Sequence, residues 1–301
     1  MTPFMIELWQ LCKEYPTPTG PAVIVKDFTL KVRAGEFVCI LGHSGCGKST
    51  VLSILMGLNE ATSGNVVVAD KEVTGPGRDR GVVFQSASLL PWLTVRDNVL
   101  LAIQDREDAG TSDTRRHLAE RYLDQVGLAG LGDCMPDELS AGMRQRVGIA
   151  RAFAVEPQVL LLDEPFSLLD ALTRFELQEQ LVQICEHTRK TVVMVTHDVD
   201  EALLLADRIV LMTNGPAATI GGILQVPLPR PRLHGKLLEH PAYYPARDQL
   251  LTFLESGVPP VDDAREVQKG KEKENEEVDP LSTINTREHD RGGADAYSRA
   301  E

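Results

Sequence analysis

The chain has 301 residues, a formal net charge of −13 and 43% hydrophobic residues, enough for one large α/β domain. Its apolar runs are far too short to span a membrane, and no signal-peptide pattern opens it. The acidic balance argues against nucleic acid as the main partner, and five cysteines without C-x-x-C spacing read as free thiols.

Residues 5–11 alternate weakly and predict an opening strand. The stretch from Tyr15 to Pro21, with three prolines and a glycine, reads as a loop. Residues 22–25 and 28–32 predict two short strands, and 37–41 a buried one. There follows Gly42-His43-Ser44-Gly45-Cys46-Gly47-Lys48-Ser49-Thr50, which fits G-x-x-x-x-G-K-S/T between a strand and a helix predicted over 48–56. Such a loop aims successive N–H groups at a polyphosphate, and the helix N-terminus adds partial positive charge. Lys48 is placed to reach the β/γ-phosphates and Ser49 to offer its hydroxyl to Mg²⁺. Turn signals then bound strands at 66–68 and 81–84, the second ending at Gln85. A glutamine there either reaches a metal or water or simply caps the strand.

From 86 to 157 the pattern turns helical, with helices predicted over 95–103, 114–126 and 140–155. Ser140 is a plausible N-cap, and the two small residues after it let an oxygen-rich group approach a helix N-terminus. One chain needs only one phosphate site, so this second anion-ready start suggests a site shared by two chains. A strand at 159–163 runs into Asp163-Glu164. With a phosphate loop present, Asp163 is expected to hold Mg²⁺ and Glu164 to polarise the attacking water, a role typically contributing ~10²–10⁴ in rate. Helix 171–188, strand 191–196, helix 198–206 and strand 208–213 alternate as in a parallel sheet. His197 ends one of these strands, as a structural or a catalytic group. A hairpin within 217–226, an extended Pro-rich stretch at 227–231 and a helix over 245–255 follow. Beyond 257 aromatics nearly vanish, and the acidic tail 258–301 reads as disordered.

This set resembles the ATP-binding cassette of ABC transporters, over about residues 6–254. The resemblance implies a P-loop NTPase (RecA-like) fold: a mostly parallel α/β core, an antiparallel β subdomain and the helical insertion, with residues 1–257 as one nucleotide-binding domain. Gln85 matches the Q-loop, with a place on the metal. Leu139-Ser140-Ala141-Gly142-Met143 matches the signature, Asp163-Glu164 Walker B, Asp170 the D-loop, His197 the switch histidine and Tyr15 the residue stacked on adenine. The family implies a head-to-tail dimer, of this chain or with a paralogue, holding two ATP molecules. Each phosphate loop then faces the other chain's signature. The usual signature is Leu-Ser-Gly-Gly-Gln, so Ala141 and Met143 depart from it. Cys46, beside the phosphates, reads either as a tolerated variant or as a thiol whose alkylation blocks ATP.

Leu89, Leu90 and Trp92 lie where the family receives a coupling helix from transmembrane permease subunits. The stretches around Pro91-Trp92, Thr196–Ala202 and 212–232 resemble the nitrate/sulfonate/taurine importers, nitrate-type ATPases above all, whose relatives serve cyanate and bicarbonate. Implied are a place on the cytoplasmic face of the inner membrane and an indirect partner, a periplasmic or lipoprotein solute-binding protein. Neither a large β-rich regulatory domain nor a fused solute-binding domain is expected after the cassette. A non-transport ABC ATPase is disfavoured by the single cassette and the lack of sustained heptads.

Overall fold

The computed structural model describes residues 4–18, 20–104, 106 and 110–259. The chain opens as two long antiparallel strands, β1 (Phe4–Thr17) and β2 (Gly20–Arg33). Most of the loop expected at Tyr15–Pro21 is therefore paired strand, out to Thr17 opposite Gly20, and the two short strands after it are one. Gln10 (φ 45°) and Asp27 (φ 50°) sit where the pairing register slips, an extra residue on each strand in turn. Each bulge shifts the apolar alternation, so one strand reads as two. Pro16 faces Pro21 at the end of the hairpin, past the last residue of β1 that has a partner on its other side. Prolines are tolerated there because no ladder bond needs their missing N–H.

β3 (Phe37–Leu41) runs into the phosphate loop and α1 (Lys48–Leu55). β4 (Ser63–Val68) and β5 (Lys71–Glu72) then complete an antiparallel sheet of order β2-β1-β4-β5. After β6 (Arg80–Val83) come α2 (Val95–Ile103), α3 (Ser112–Gln125), a 3₁₀ turn at Pro136–Glu138 and α4 (Ala141–Ala154). β7 (Val159–Asp163), α5 (Ala171–Thr188), β8 (Thr191–Thr196), α6 (Val199–Leu205) and β9 (Arg208–Met212) return to strand–helix alternation. β10 (Ile220–Gln225), α7 (His234–Leu237) and α8 (Tyr243–Ser256) close the described chain. The second sheet has order β10-β9-β3-β8-β7-β6, parallel except for β10. The late hairpin is thus β9 with β10, not a hairpin inside 217–226. The expected α/β class, with its antiparallel sheet and helical insertion, is borne out. Apart from Val258 and Pro259, the tail expected from 258 lies outside the described residues.

The period-2 geometry of the parallel strands builds two cores, one on each sheet face. Phe37, Cys39 and Leu41 of β3 join Leu160 and Leu162 of β7 and Val192 and Met194 of β8 in the core under the helical insertion. Val38, Ile40, Leu161, Val193 and Val195 point the other way, toward α1 and the antiparallel sheet. Burial on both faces fixes the strands, and their carboxyl ends define the edge where the site lies.

Candidate functional site

Open α/β sheets place ligands at the carboxyl ends of their parallel strands. There β3 ends at Leu41, and the chain turns through residues 42–47 into α1. Gly47 caps the helix at φ 107°, a left-handed angle that side chains rarely adopt. A Cβ at Gly47 would also stand 3.0 Å from Val25 Cγ2, so the loop lies directly against β2. The buried Lys48 ammonium donates to the carbonyls of Gly42 (2.7 Å) and His43 (2.8 Å), inside the curl of the loop. Ser49 donates its hydroxyl to Asp163 Oδ1 across 3.0 Å. Burial raises the Asp163 carboxyl pKa, and the bond from Ser49 opposes that rise. A partly desolvated carboxylate beside a hydroxyl is a hard oxygen pair suited to a divalent cation.

Glu164 follows at φ 43°, an uncommon angle for glutamate. Its N–H donates to the Val195 carbonyl (3.0 Å), which pins this turn to β8. Its Oε2 stands 3.3 Å from Nδ1 of His197. The carboxylate is mostly buried, at 20% exposure, while the imidazole is 55% exposed. Glu164 is the wall common to two clefts. One, of about 340 Å³, is lined by Tyr15, Ser44, Gly45, Gly47, Lys48, Ser49 and Thr50. The other lies among Ser167, Arg174, Thr196, His197, Asp198 and Glu201. The Tyr15 hydroxyl accepts from Asn59 (2.5 Å), and the Lys13 ammonium lies 4.8 Å from its ring centroid. Gln85 donates to the Ser167 hydroxyl (3.1 Å), which donates to the Glu164 carbonyl (3.0 Å). Gln85 is thereby tied to the Glu164 turn, not to the Ser49–Asp163 pair.

Phosphate-loop side chains divide in direction. The His43 ring bonds the Leu254 carbonyl at 2.6 Å and so reaches α8. Cys46 is buried in the second core, 2% exposed, with its thiol pKa raised by burial. Of its two readings, this burial favours a tolerated packing residue over an alkylatable thiol.

A family model described as "ABC transporter" matches residues 25–167. The chain is 50% identical over 242 residues to the nitrate import ATP-binding protein NrtD of Synechococcus elongatus, covering 80% of this chain and 88% of that protein. The chain belongs to the ABC transporter family. It is 49% identical to the bicarbonate transport ATP-binding protein CmpD of Synechocystis sp., covering 84% of this chain and 90% of that one. A dimeric ATP-binding cassette solved in a post-hydrolysis state with ADP and phosphate superimposes with a TM-score of 0.67 at 33% identity, over 74% of this chain and 99% of that one. The protein is an ABC-type ATPase that binds ATP. No helix among the described residues is long and apolar enough to cross a membrane.

None of residues 139–143, Asp170, Leu89, Leu90 and Trp92 lines either cleft. Ser140 caps α4 by accepting the Met143 N–H (3.2 Å), and Ala141 beside it is exposed. Leu139 is buried in the core, and Met143 is half-buried against it. Gly142 is buried, and a Cβ there would stand 2.3 Å from Thr173 Cγ2 on α5. Asp170 caps α5 by accepting the Thr173 N–H (3.0 Å). Among the described residues, no hydrogen bond joins residues 139–143 to the phosphate loop. Trp92 is 70% exposed, whereas Leu89 and Leu90 are half-buried and Leu89 packs on the core.

Sequence reasoning missed two polar residues. Buried Asn98 on α2 accepts the Leu90 N–H (2.8 Å) and donates to the carbonyls of Leu90, Leu93 and Thr94, shaping the turn that presents Trp92. Its signal was an amide inside the apolar stripe of Val95 and Val99. Glu201 is buried below His197, accepts from Gln178 (2.8 Å) and the Thr196 hydroxyl, and has a pKa pushed up to about 7, mainly by burial. Only the fold brings it under the turn.

Proposed function

We propose that this chain, with residues 1–257 as its cassette, is the ATP-hydrolysing subunit of an importer for a small anion, nitrate first. The carrying observation is the cleft where the phosphate loop, Ser49–Asp163 and the Glu164–His197 pair converge. ATP enters with adenine on Tyr15 and its phosphates in the loop, against the backbone N–H groups and Lys48. Ser49 and Asp163 are hard donors that would hold Mg²⁺, which supplies charge neutralisation on the phosphate oxygens; the amide oxygen of Gln85, whose nitrogen is the atom bonded to Ser167, would join them from the Glu164 turn. Glu164 takes the proton of the attacking water as its oxygen joins the γ-phosphorus and the bond to the β-phosphate oxygen breaks. His197 holds the γ-phosphate and steadies Glu164.

The exposed Ser140 end of α4 serves the phosphate loop of a second cassette, this chain or a paralogue, and Asp170 lies at the same contact. This reading is supported by a signature without a hydrogen bond to its own loop, and by the dimeric neighbour. Trp92, with Leu89 and Leu90, receives the permease at the cytoplasmic face of the inner membrane, and a solute-binding protein delivers the anion outside it. Nitrate leads on the import ATP-binding relative, and bicarbonate is second on a relative of similar identity. The test is the transporter reconstituted with its permease and solute-binding protein in proteoliposomes. Nitrate in the lumen-facing binding protein should stimulate ATP hydrolysis, and Trp92→Ala should abolish that stimulation. Stimulation by bicarbonate instead would transfer the substrate, and no assembly with any permease would refute the importer reading.

A further inference from the structure

His197 stands at the head of α6, a helix of only seven residues. Helices below ~12–15 residues are marginal alone, so neighbours must fix its place. At the N-terminus, Asp198 Oδ1 accepts the N–H groups of Asp200 (2.9 Å) and Glu201 (3.0 Å). On the outer side, Asp200 accepts from the Tyr243 hydroxyl (2.6 Å) and Arg247 Nε (2.8 Å) of α8. The far end is held by the Pro-rich strap at 227–232. There Arg230 Nη2 donates to the Leu205 carbonyl (2.7 Å), and Arg232 Nη1 to those of Ala206 (2.5 Å) and Leu204 (3.4 Å). Arg232 Nε and Nη2 both turn back to the Leu228 carbonyl (3.1 and 2.9 Å), closing the strap on itself.

The two arginines differ. Arg230 is paired with Asp207 at 2.7 Å. Arg232 is 5% exposed and, among the described residues, forms no salt bridge with a carboxylate. Burying an unpaired guanidinium is costly, and burial pulls its pKa down to about 10. For filling space alone, an apolar side chain would serve better. What the guanidinium adds is direction: donors aimed at the carbonyls that end α6, where the helix dipole is negative.

We propose that Arg232 is a positioning residue for ATP hydrolysis, holding α6 from its C-terminal end so that His197 stays at Glu164. This rests on the reading of Glu164 and His197 given above. A displacement of ~1 Å can cost ~10²-fold when it reaches reacting groups.

The test is steady-state and single-turnover ATP hydrolysis by the full chain, with Arg232→Met and Arg232→Lys, alone and with His197→Ala. Arg232→Met should lower kcat by about tenfold to a hundredfold at an ATP KM within about twofold of the parent. Arg232→Lys should recover part of that loss. With His197→Ala already present, Arg232→Met should lower the single-turnover rate no further. A folded Arg232→Met protein with the parent's kcat overturns the proposal, as does a loss that persists undiminished in the His197→Ala background. If Arg232→Met does not fold, Arg232→Lys decides by the same comparison: an unchanged kcat, or an undiminished loss without His197, overturns it. A parent that hydrolyses no ATP refutes the hydrolysis reading itself, a distinct outcome.

Discussion

Gly142 makes a claim inside one chain that can be separated from its expected role between two. A Cβ at Gly142 would come 2.3 Å from Thr173 Cγ2, while Thr173 Cβ and Oγ1 stand at 3.5 and 3.6 Å, ordinary contact. One methyl group is therefore the whole obstacle. Thr173 can relieve the contact only by turning its side chain, while its backbone N–H stays bonded to Asp170. Overpacking of this kind typically costs ~1–3 kcal/mol. Gly142→Ala should then lower unfolding stability by about 2 kcal/mol, and Thr173→Ser in the same chain should restore most of it by removing the methyl. Urea unfolding of the parent, both single variants and the double variant measures the coupling. If Gly142→Ala is as stable as the parent, or the double variant adds the two losses, α4 and α5 do not meet as described. ATP-driven dimerisation of the rescued double variant would then report the methyl's effect at the signature alone.

Two further outcomes follow from buried groups. Glu201 has its pKa raised from 4.5 to about 7, so the folded state holds a proton that the unfolded state releases between those values. Its contribution is full below pH 4.5 and is lost as pH rises toward 7, about 3 kcal/mol in all; Glu201→Gln should flatten that part of the stability–pH curve in urea unfolding from pH 5 to 8, and an equal slope in parent and variant would contradict the burial. Cys46, buried with a raised thiol pKa, should react with N-ethylmaleimide at neutral pH far more slowly than half-exposed Cys12, as mass spectrometry of the labelled peptides can count. Labelling of Cys46 as fast as Cys12 would show that the phosphate loop opens.

Much of this was legible because it is local. Residues 159–163 are apolar to the last position and then acidic, which marks both a buried strand and the place of its carboxylates. Ser140 precedes helical periodicity and is the cap it was expected to be. Legibility failed where the chain's own pattern was interrupted or where contacts come from far away. The bulges at Gln10 and Asp27 split one hairpin into apparent fragments. His43 and Leu254 meet across 211 positions, and nothing in either neighbourhood announces it. Pro227–Arg232 was recognisable as a subfamily likeness, yet its use as a strap over the end of α6 needs the folded chain. Cys46 kept two readings for the same reason: a loop position does not tell which way its side chain turns.

The central claim is that Glu164 completes a site for ATP hydrolysis that closes between two cassettes. Glu164→Gln keeps the size of the side chain and removes its basicity. Sedimentation of this variant with ATP, beside its hydrolysis rate, tests both halves together. The account predicts a stable ATP-bound dimer and hydrolysis reduced ~10²–10⁴-fold. A variant that hydrolyses at the parent rate, or that stays monomeric with ATP bound, would contradict it.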